Sequence, residues 1–414
     1  MIRSRRTQLL LAWTFALTVI GYPLAGIAAA VLDLPSAAMS YPFRALVCTL
    51  ALALVLSEWR ARSNGRLHPW LALFWALYVA RLLWDIAAGP PDADAALFFF
   101  ALTTLIPVYG IVRAAGRWDE LLTAHLVFML GSLISAAAIL IERQGYAADR
   151  SLTDMTGRLF LDTVNPITFG HAGVTTLIAA ATLHFSGRSA VGRFTLLAGS
   201  ALAIGCIVLA ASRGPVLALA ICAFVVAVAQ RRWSLAALPI LAVLAALSSD
   251  GFELVSRFAD IDEDDSALER LVLQANALQM FADSPILGSA YAEFLLNTYP
   301  HNMFIETAMA LGIVGLVLIA GLTAIGLSRM WKRVRVGMTL LPLLFVQYFI
   351  GFQFSGALWG SSSFWACLAL LLALAVADRP VSGLARSRRL SRPVAPLAGS
   401  FDPRLAVQTS TAAA

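Results

Sequence analysis

Asp250-Gly251-Phe252-Glu253, Asp260-Ile261-Asp262-Glu263-Asp264-Asp265 and Tyr299-Pro300-His301-Asn302 mark the start, middle and end of one polar stretch, residues 250–302. The chain on either side of it is almost continuous apolar sequence. Of the 414 residues, 60% are hydrophobic and 13% charged, whereas soluble domains average about 45–50% and 25%. The apolar runs are each about 20 residues long, the length of a helix that crosses a bilayer. Lipid offers no partner to the amides of an open sheet edge, and a β-barrel would show alternating segments of ~10 residues. The sequence therefore predicts an all-α, polytopic integral membrane protein.

Spans are expected at 8–32, 41–57, 69–88, 95–112, 120–141, 166–185, 194–211, 214–230, 233–249, 303–327, 338–355 and 360–377, about 12 transmembrane helices in all. The organisation that follows is helices 1–9 over 1–249, a single large loop over 250–302, helices 10–12 over 303–378, and a disordered tail over 379–414. The N-terminal run, with no evident cleavage site, is read as a first span rather than a removed leader. With that count, 22 of the 30 basic residues fall on the side of the N-terminus, Arg81 lies within a span, and seven lie opposite. By the positive-inside bias both termini are cytoplasmic and the 250–302 loop is periplasmic. The net charge of +6 is thus accounted for by topology, not by nucleic acid. Cys48, Cys206, Cys222 and Cys367 all lie in apolar runs and read as packing residues, with no metal-ligand spacing among them.

Even-numbered spans are expected to start at the outer face, and three of these starts are chemically loaded, at Asn165-Pro166, Ser212-Arg213-Gly214-Pro215 and Pro300-His301-Asn302. Free N–H groups and the positive dipole end make such starts able to receive an anion. Arg213 adds a full charge on the side where arginine is scarce; it is either a bidentate phosphate ligand or a snorkelling interfacial arginine. Arg81 sits within the third span, four residues before Asp85, so the two share a face as an ion pair or Arg81 meets a ligand in a polar cavity. The spacing of Leu268, Leu271, Val272, Ala275, Leu278 and Phe281 predicts an amphipathic helix over 266–282, able to lie on a membrane surface. Its Arg270, like Arg158 in Thr156-Gly157-Arg158-Leu159-Phe160, either meets a lipid-linked phosphate or pairs with an acidic neighbour. His301 is the candidate base, since an unperturbed imidazole accepts a proton near neutrality; the competing role is support of a helix start. His171 is the second candidate. The acidic run 260–265 is read as solvated, and no metal site or cofactor is expected.

Phe281-Ala282-Asp283-Ser284-Pro285-Ile286-Leu287-Gly288, followed by Tyr299-Pro300-His301-Asn302-Met303-Phe304-Ile305-Glu306 and Leu311-Gly312-Ile313-Val314-Gly315-Leu316, resembles the O-antigen ligase/polymerase superfamily. Ala211-Ser212-Arg213-Gly214 and Gly157-Arg158 with Asn165-Pro166 fit the same pattern. The resemblance implies a membrane glycosyltransferase of the GT-C-like type in a Gram-negative inner membrane. It implies a ligase that moves O-antigen from an undecaprenyl-pyrophosphate donor to a lipid A–core acceptor, by metal-independent inverting transfer at the periplasmic face, in lipopolysaccharide biosynthesis. It further implies that His301 deprotonates the acceptor hydroxyl while Arg213, Arg270, Arg158 and Arg81 hold the pyrophosphate. The rival within the superfamily is a polymerase. A lipid-linked glycan transporter would place its charges along a mid-membrane path, where only Arg81 and Asp85 intrude.

Overall fold

The computed structural model describes residues 2–59, 65–143, 164–187, 191–231 and 265–375; among them the elements are helices, with no strand, and Glu293 and Thr298 form an isolated bridge. All of these belong to a unit spanning Met1–Ala377; the second unit, Asp378–Ala414, lies outside the described residues, as do Arg158 and the expected span 233–249. The helices are α1 (Ile2–Ile20), α2 (Tyr22–Val31), α3 (Ser36–Glu58), α4 (Pro69–Ala88), α5 (Ala93–Arg113), α6 (Glu120–Arg143), α7 (Pro166–Ser186), α8 (Arg193–Ala210), α9 (Arg213–Gln230), α10 (Asp265–Asp283), α11 (Met303–Arg335), α12 (Leu340–Gly351) and α13 (Ser362–Ala373).

Among the described residues, eight helices are long and apolar enough to cross a membrane, and a ninth is added if the bent α1–α2 pair is one span. This differs from the expected layout at the C-terminal end. The runs 338–355 and 360–377 give α12 and α13, of only 12 residues each, or about 18 Å of helix against a hydrocarbon core of about 30 Å. Their walls explain the tolerance. Leu340 to Gln347 and Phe364 to Leu372 are buried by other helices, so they need not match the bilayer. Polar groups from neighbouring helices finish their ends. Glu120 accepts the N–H groups of Thr339 and Leu340 at 2.7 and 2.8 Å, and Arg329 and Arg333 donate to carbonyls of residues 371–375.

Two irregularities shape the end of the bundle that carries His301. Between α1 and α2 the chain bends by 67° at Gly21, where Pro23 has no N–H to continue the helical ladder. Within α5, Phe100–Leu105 forms a π-helical turn just before Pro107. Pro107 cannot donate to Thr103, so the ladder shifts, and the Leu102 carbonyl receives the Cys48 thiol at 3.0 Å.

α11 is broken at Gly312, with φ +61° and ψ −155°, and the break is filled by Ser284–Ser289. Ser289 N–H donates to the Met309 carbonyl at 2.7 Å, and Ile313 N–H to the Pro285 carbonyl at 2.8 Å. The two backbones touch. A Cβ at Gly288 would lie 2.4 Å from the carbonyl carbon of Ala310, and one at Gly312 would lie 2.4 Å from that of Ile286. Only glycine permits this approach, and Gly288 also has φ +74°. The two glycine-bearing motifs that stand out in the sequence are thus two halves of one joint.

Candidate active site

The joint is fixed from the side by Arg81. Its Nε donates to Ala310 O at 2.9 Å, Nη1 to Ser289 O at 3.1 Å, and Nη2 to Leu287 O and Gly288 O at 2.9 and 3.0 Å. Asp85 lies 3.6 Å from Nη1 and accepts the Tyr291 N–H at 2.7 Å. The guanidinium fork therefore satisfies carbonyls that a broken helix and a loop leave open, which a membrane setting requires. The i,i+4 pair expected from the sequence is present, and its larger task is to hold the loop.

Beyond the joint the chain runs through Glu293 to Tyr299 and reaches His301. This residue has φ +55°, a conformation that histidine adopts only when its surroundings impose it. Asn302 imposes it from one side. Its carboxamide caps α11 by accepting the N–H groups of Phe304 and Ile305 at 3.1 and 3.2 Å, and donates to Gln353 O at 3.4 Å. Tyr299 packs edge-on against the imidazole, ring centroids 4.6 Å apart. His301 is half-buried and its Nδ1 is buried without a hydrogen-bond partner. Burial, and secondarily the charge of Arg270, push the imidazole pKa down to about 4. Arg270, from α10, also acts on Tyr299, so α10 brings its cation to the His301 loop. The helix predicted over 266–282 is present; its Ala277 and Met280 pack with Ala290 and Met309, and Leu273 is also buried. Leu268, Leu271, Val272 and Leu278 are exposed.

Arg213 opens α9, the one of the three expected outer helix starts with no side-chain cap; Asn165 caps α7 through Thr168 N–H at 2.9 Å. A Cβ at Gly170 would lie 2.6 Å from Pro215 Cγ, and one at Gly214 would lie 3.9 Å from Phe354 Cβ. Because Asn302 binds Gln353, the next residue of the same loop, Arg213 and His301 stand at the same end of the bundle with residues 353–354 between them. The structure thus gathers His301, Arg270, Arg213 and Arg81 at one end, with Arg81 already committed to carbonyls.

Beside them lies a cavity of about 400 Å³ whose wall includes Arg44, His171, Tyr299, Ser355 and Trp359. His301 reaches it through Tyr299, which faces Trp359 at 6.3 Å. The sequence reading passed over Arg44. It stands half-buried among the Tyr22, Tyr41 and Phe99 rings, at 5.1, 5.9 and 4.5 Å from their centroids. It donates to Tyr22 Oη at 3.3 Å, while its Nε is buried and unpartnered. The signal was available, because the expected topology puts Arg44, like Arg213, on the arginine-poor side. His171 is buried in α7, with Gln347 bonded to its carbonyl at 2.8 Å and 3.4 Å from its Nδ1. Glu306, wholly buried in the first turn of α11, accepts the Leu358 N–H at 2.8 Å and so sets the loop that carries Trp359. Among the described residues no group of three or more His, Cys, Asp or Glu side chains could hold a metal.

Residues 198–320 match the O-antigen ligase family (Wzy_C). The resemblance drawn from the 281–316 motifs is borne out over this stretch. The matched stretch contains Arg213, Arg270, His301 and both glycines of the joint; Arg44, Arg81 and His171 come from outside it. No curated protein matches the chain. Residues 198–320 are thus similar to a family of glycosyltransferase-like enzymes, and the eight long apolar helices among the described residues are those of a multi-pass membrane protein.

Proposed function

We propose that the chain is an O-antigen ligase. It transfers a glycan from undecaprenyl pyrophosphate to lipid A–core at the periplasmic face of the inner membrane. The observation that carries this reading is His301, held in a left-handed conformation beside Arg270 at the head of α11. Burial and the Arg270 charge push its pKa down to about 4, which keeps the imidazole neutral with its lone pair available but makes it a weak base until the neighbouring charge is offset.

In the reaction, His301 takes the proton of the acceptor hydroxyl as its oxygen bonds to the anomeric carbon. The bond from that carbon to the pyrophosphate oxygen breaks, and the electron pair leaves with undecaprenyl pyrophosphate. Arg213 and Arg270 neutralise the charge that develops there, with Arg44 on the cavity side; fixed cations are worth most where charge appears. Arg270 has a double effect. Its charge opposes protonation of His301; a phosphate brought beside it would offset that charge, so the base strengthens when the donor is in place. Arg81 acts in this scheme as the clamp that positions the loop.

Purified protein incubated with both lipid substrates gives the joined product on a gel, and His301→Ala, inserted in membranes at normal level, does not. Transfer by that variant at the wild-type rate removes His301 from the mechanism. Product that appears without lipid A–core, as longer carrier-linked chains, identifies a polymerase instead.

A further inference from the structure

Residues 284–300 contain a single charged side chain, Glu293, and it is 2% exposed. The same segment displays Ile286 at 66%, Leu287 at 65%, Phe294 at 61%, Leu295 at 73% and Leu296 at 47% exposure. Five large apolar side chains outside any spanning helix, on a loop with no outward charge, are unsuited to water.

The backbone beneath them is unusually complete. Glu293 folds its carboxylate under the tip and accepts the N–H groups of Leu295 and Leu296, both at 2.8 Å. Its own N–H donates to Thr298 O at 2.8 Å, and Asn276 of α10 donates to Oε1 at 3.3 Å. The Leu287 and Gly288 carbonyls are taken by Arg81. A loop in water needs none of this, because water supplies the partners; a loop in lipid needs all of it.

Its position fits. Arg81, Asp85, Pro91 and Asp92 hold it at Leu287, Tyr291 and Asn297. It is therefore pinned where α4 ends, and α4 has 20 residues, about 30 Å, one hydrocarbon thickness. The last turns of α4 expose Leu83, Trp84 and Ile86 at 54%, 68% and 47%, continuous with the same level.

We propose that Phe294-Leu295-Leu296, with Ile286 and Leu287, is a membrane-insertion tip: the acyl chains of the leaflet at this end of the bundle are its partner. Tyr299 and His301 follow directly on the chain, so the depth of the tip fixes the height of the imidazole above the lipid. The inference does not depend on which glycan is transferred.

The four native cysteines are buried, so a new surface cysteine is labelled selectively. Leu295→Cys and Phe294→Cys are labelled with an environment-sensitive fluorophore in phosphatidylcholine/phosphatidylglycerol nanodiscs, with exposed Glu269→Cys as the water-facing control. Phospholipids with an acyl-chain nitroxide should quench the tip at least about threefold more than the control, and aqueous iodide should quench it about fivefold less, as burial among acyl chains requires. Equal iodide quenching at 295 and 269 overturns the proposal. So does protection from both quenchers, which would mean that protein, such as a second copy of the chain, covers the tip. The reading uses no activity assay, so it fails or stands independently of the ligase assignment.

Discussion

Replacing Gly288 with alanine tests the joint at its tightest point. Two costs are expected. A left-handed alanine costs about 1–2 kcal/mol, since Gly288 has φ +74°. The added methyl lies 2.4 Å from the Ala310 carbonyl carbon and 2.6 Å from its oxygen; both are backbone atoms, so relief requires moving α11, at about 1–3 kcal/mol. Reduced freedom of the unfolded chain returns about 0.4–1 kcal/mol. The net loss is about 1–5 kcal/mol. Gly187→Ala is the matched control, with φ +61° and nothing within 4 Å of the new methyl; it bears only the first cost and the same return, about 1 kcal/mol or less. Thermal unfolding of both variants in detergent, followed by tryptophan fluorescence, should place Gly288→Ala several degrees below Gly187→Ala. Glycan transfer should fall for Gly288→Ala alone, because the displaced loop carries Tyr299 and His301. Equal shifts for the two variants would refute the argument that close backbone contact, and not torsion alone, demands glycine at 288.

Because the His301 pKa is pushed down to about 4, the acid limb of the transfer rate in the unliganded enzyme should lie near that value, well below the 6.5 of a free imidazole. Arg270→Ala, which removes the lesser of the two causes, should move the limb upward without restoring it fully. The same shift destabilises the fold in acid: the unfolded state binds the proton first, so stability falls as pH drops from about 6.5 towards 4, a trend that His301→Gln should flatten in pH-dependent melting. Arg81→Ala removes a donor from four carbonyls, of which Gly288 O keeps the Ser284 hydroxyl, leaves Asp85 without its cation, and should destabilise by about 3–5 kcal/mol; Arg81→Lys should rescue only partly, because one ammonium cannot span them. Glu306→Gln retains an acceptor for the Leu358 N–H and should melt and transfer close to wild type, whereas Glu306→Leu should lose about 1–3 kcal/mol; similar behaviour of the two would remove that hydrogen bond from the account.

Local features were the ones that could be read in advance. Hydropathy located the spans from 36 to 230, because burial in lipid is a property of each run by itself. The helix expected over 266–282 is observed at Asp265–Asp283, with the expected stripe exposed and a second apolar face, which the sequence did not single out, packed inward. Leu268, Leu271 and Val272 form a stripe as hydrophobic as Leu273, Ala277 and Met280, and only the partner surface decides between them. Arg81 shows the same limit more sharply. Its spacing to Asp85 was legible, but its carbonyl partners lie more than 200 residues further along the chain and carry no side-chain signature. The short α12 and α13 read as full spans, since apolar length does not reveal that protein surrounds them. Arg44 was within reach of the charge-asymmetry argument and was missed because no helix start accompanied it.

The Arg81 fork also constrains how this protein comes into being. α4 leaves the ribosome long before Leu287 and Ala310 exist to receive its donors, and an arginine in hydrocarbon costs about 2.5–3.5 kcal/mol on insertion scales. The nascent chain must therefore shelter a charge until its C-terminal third arrives, with only Asp85 close by in sequence. Products of premature termination upstream of residue 287 would keep that charge permanently without its carbonyl partners.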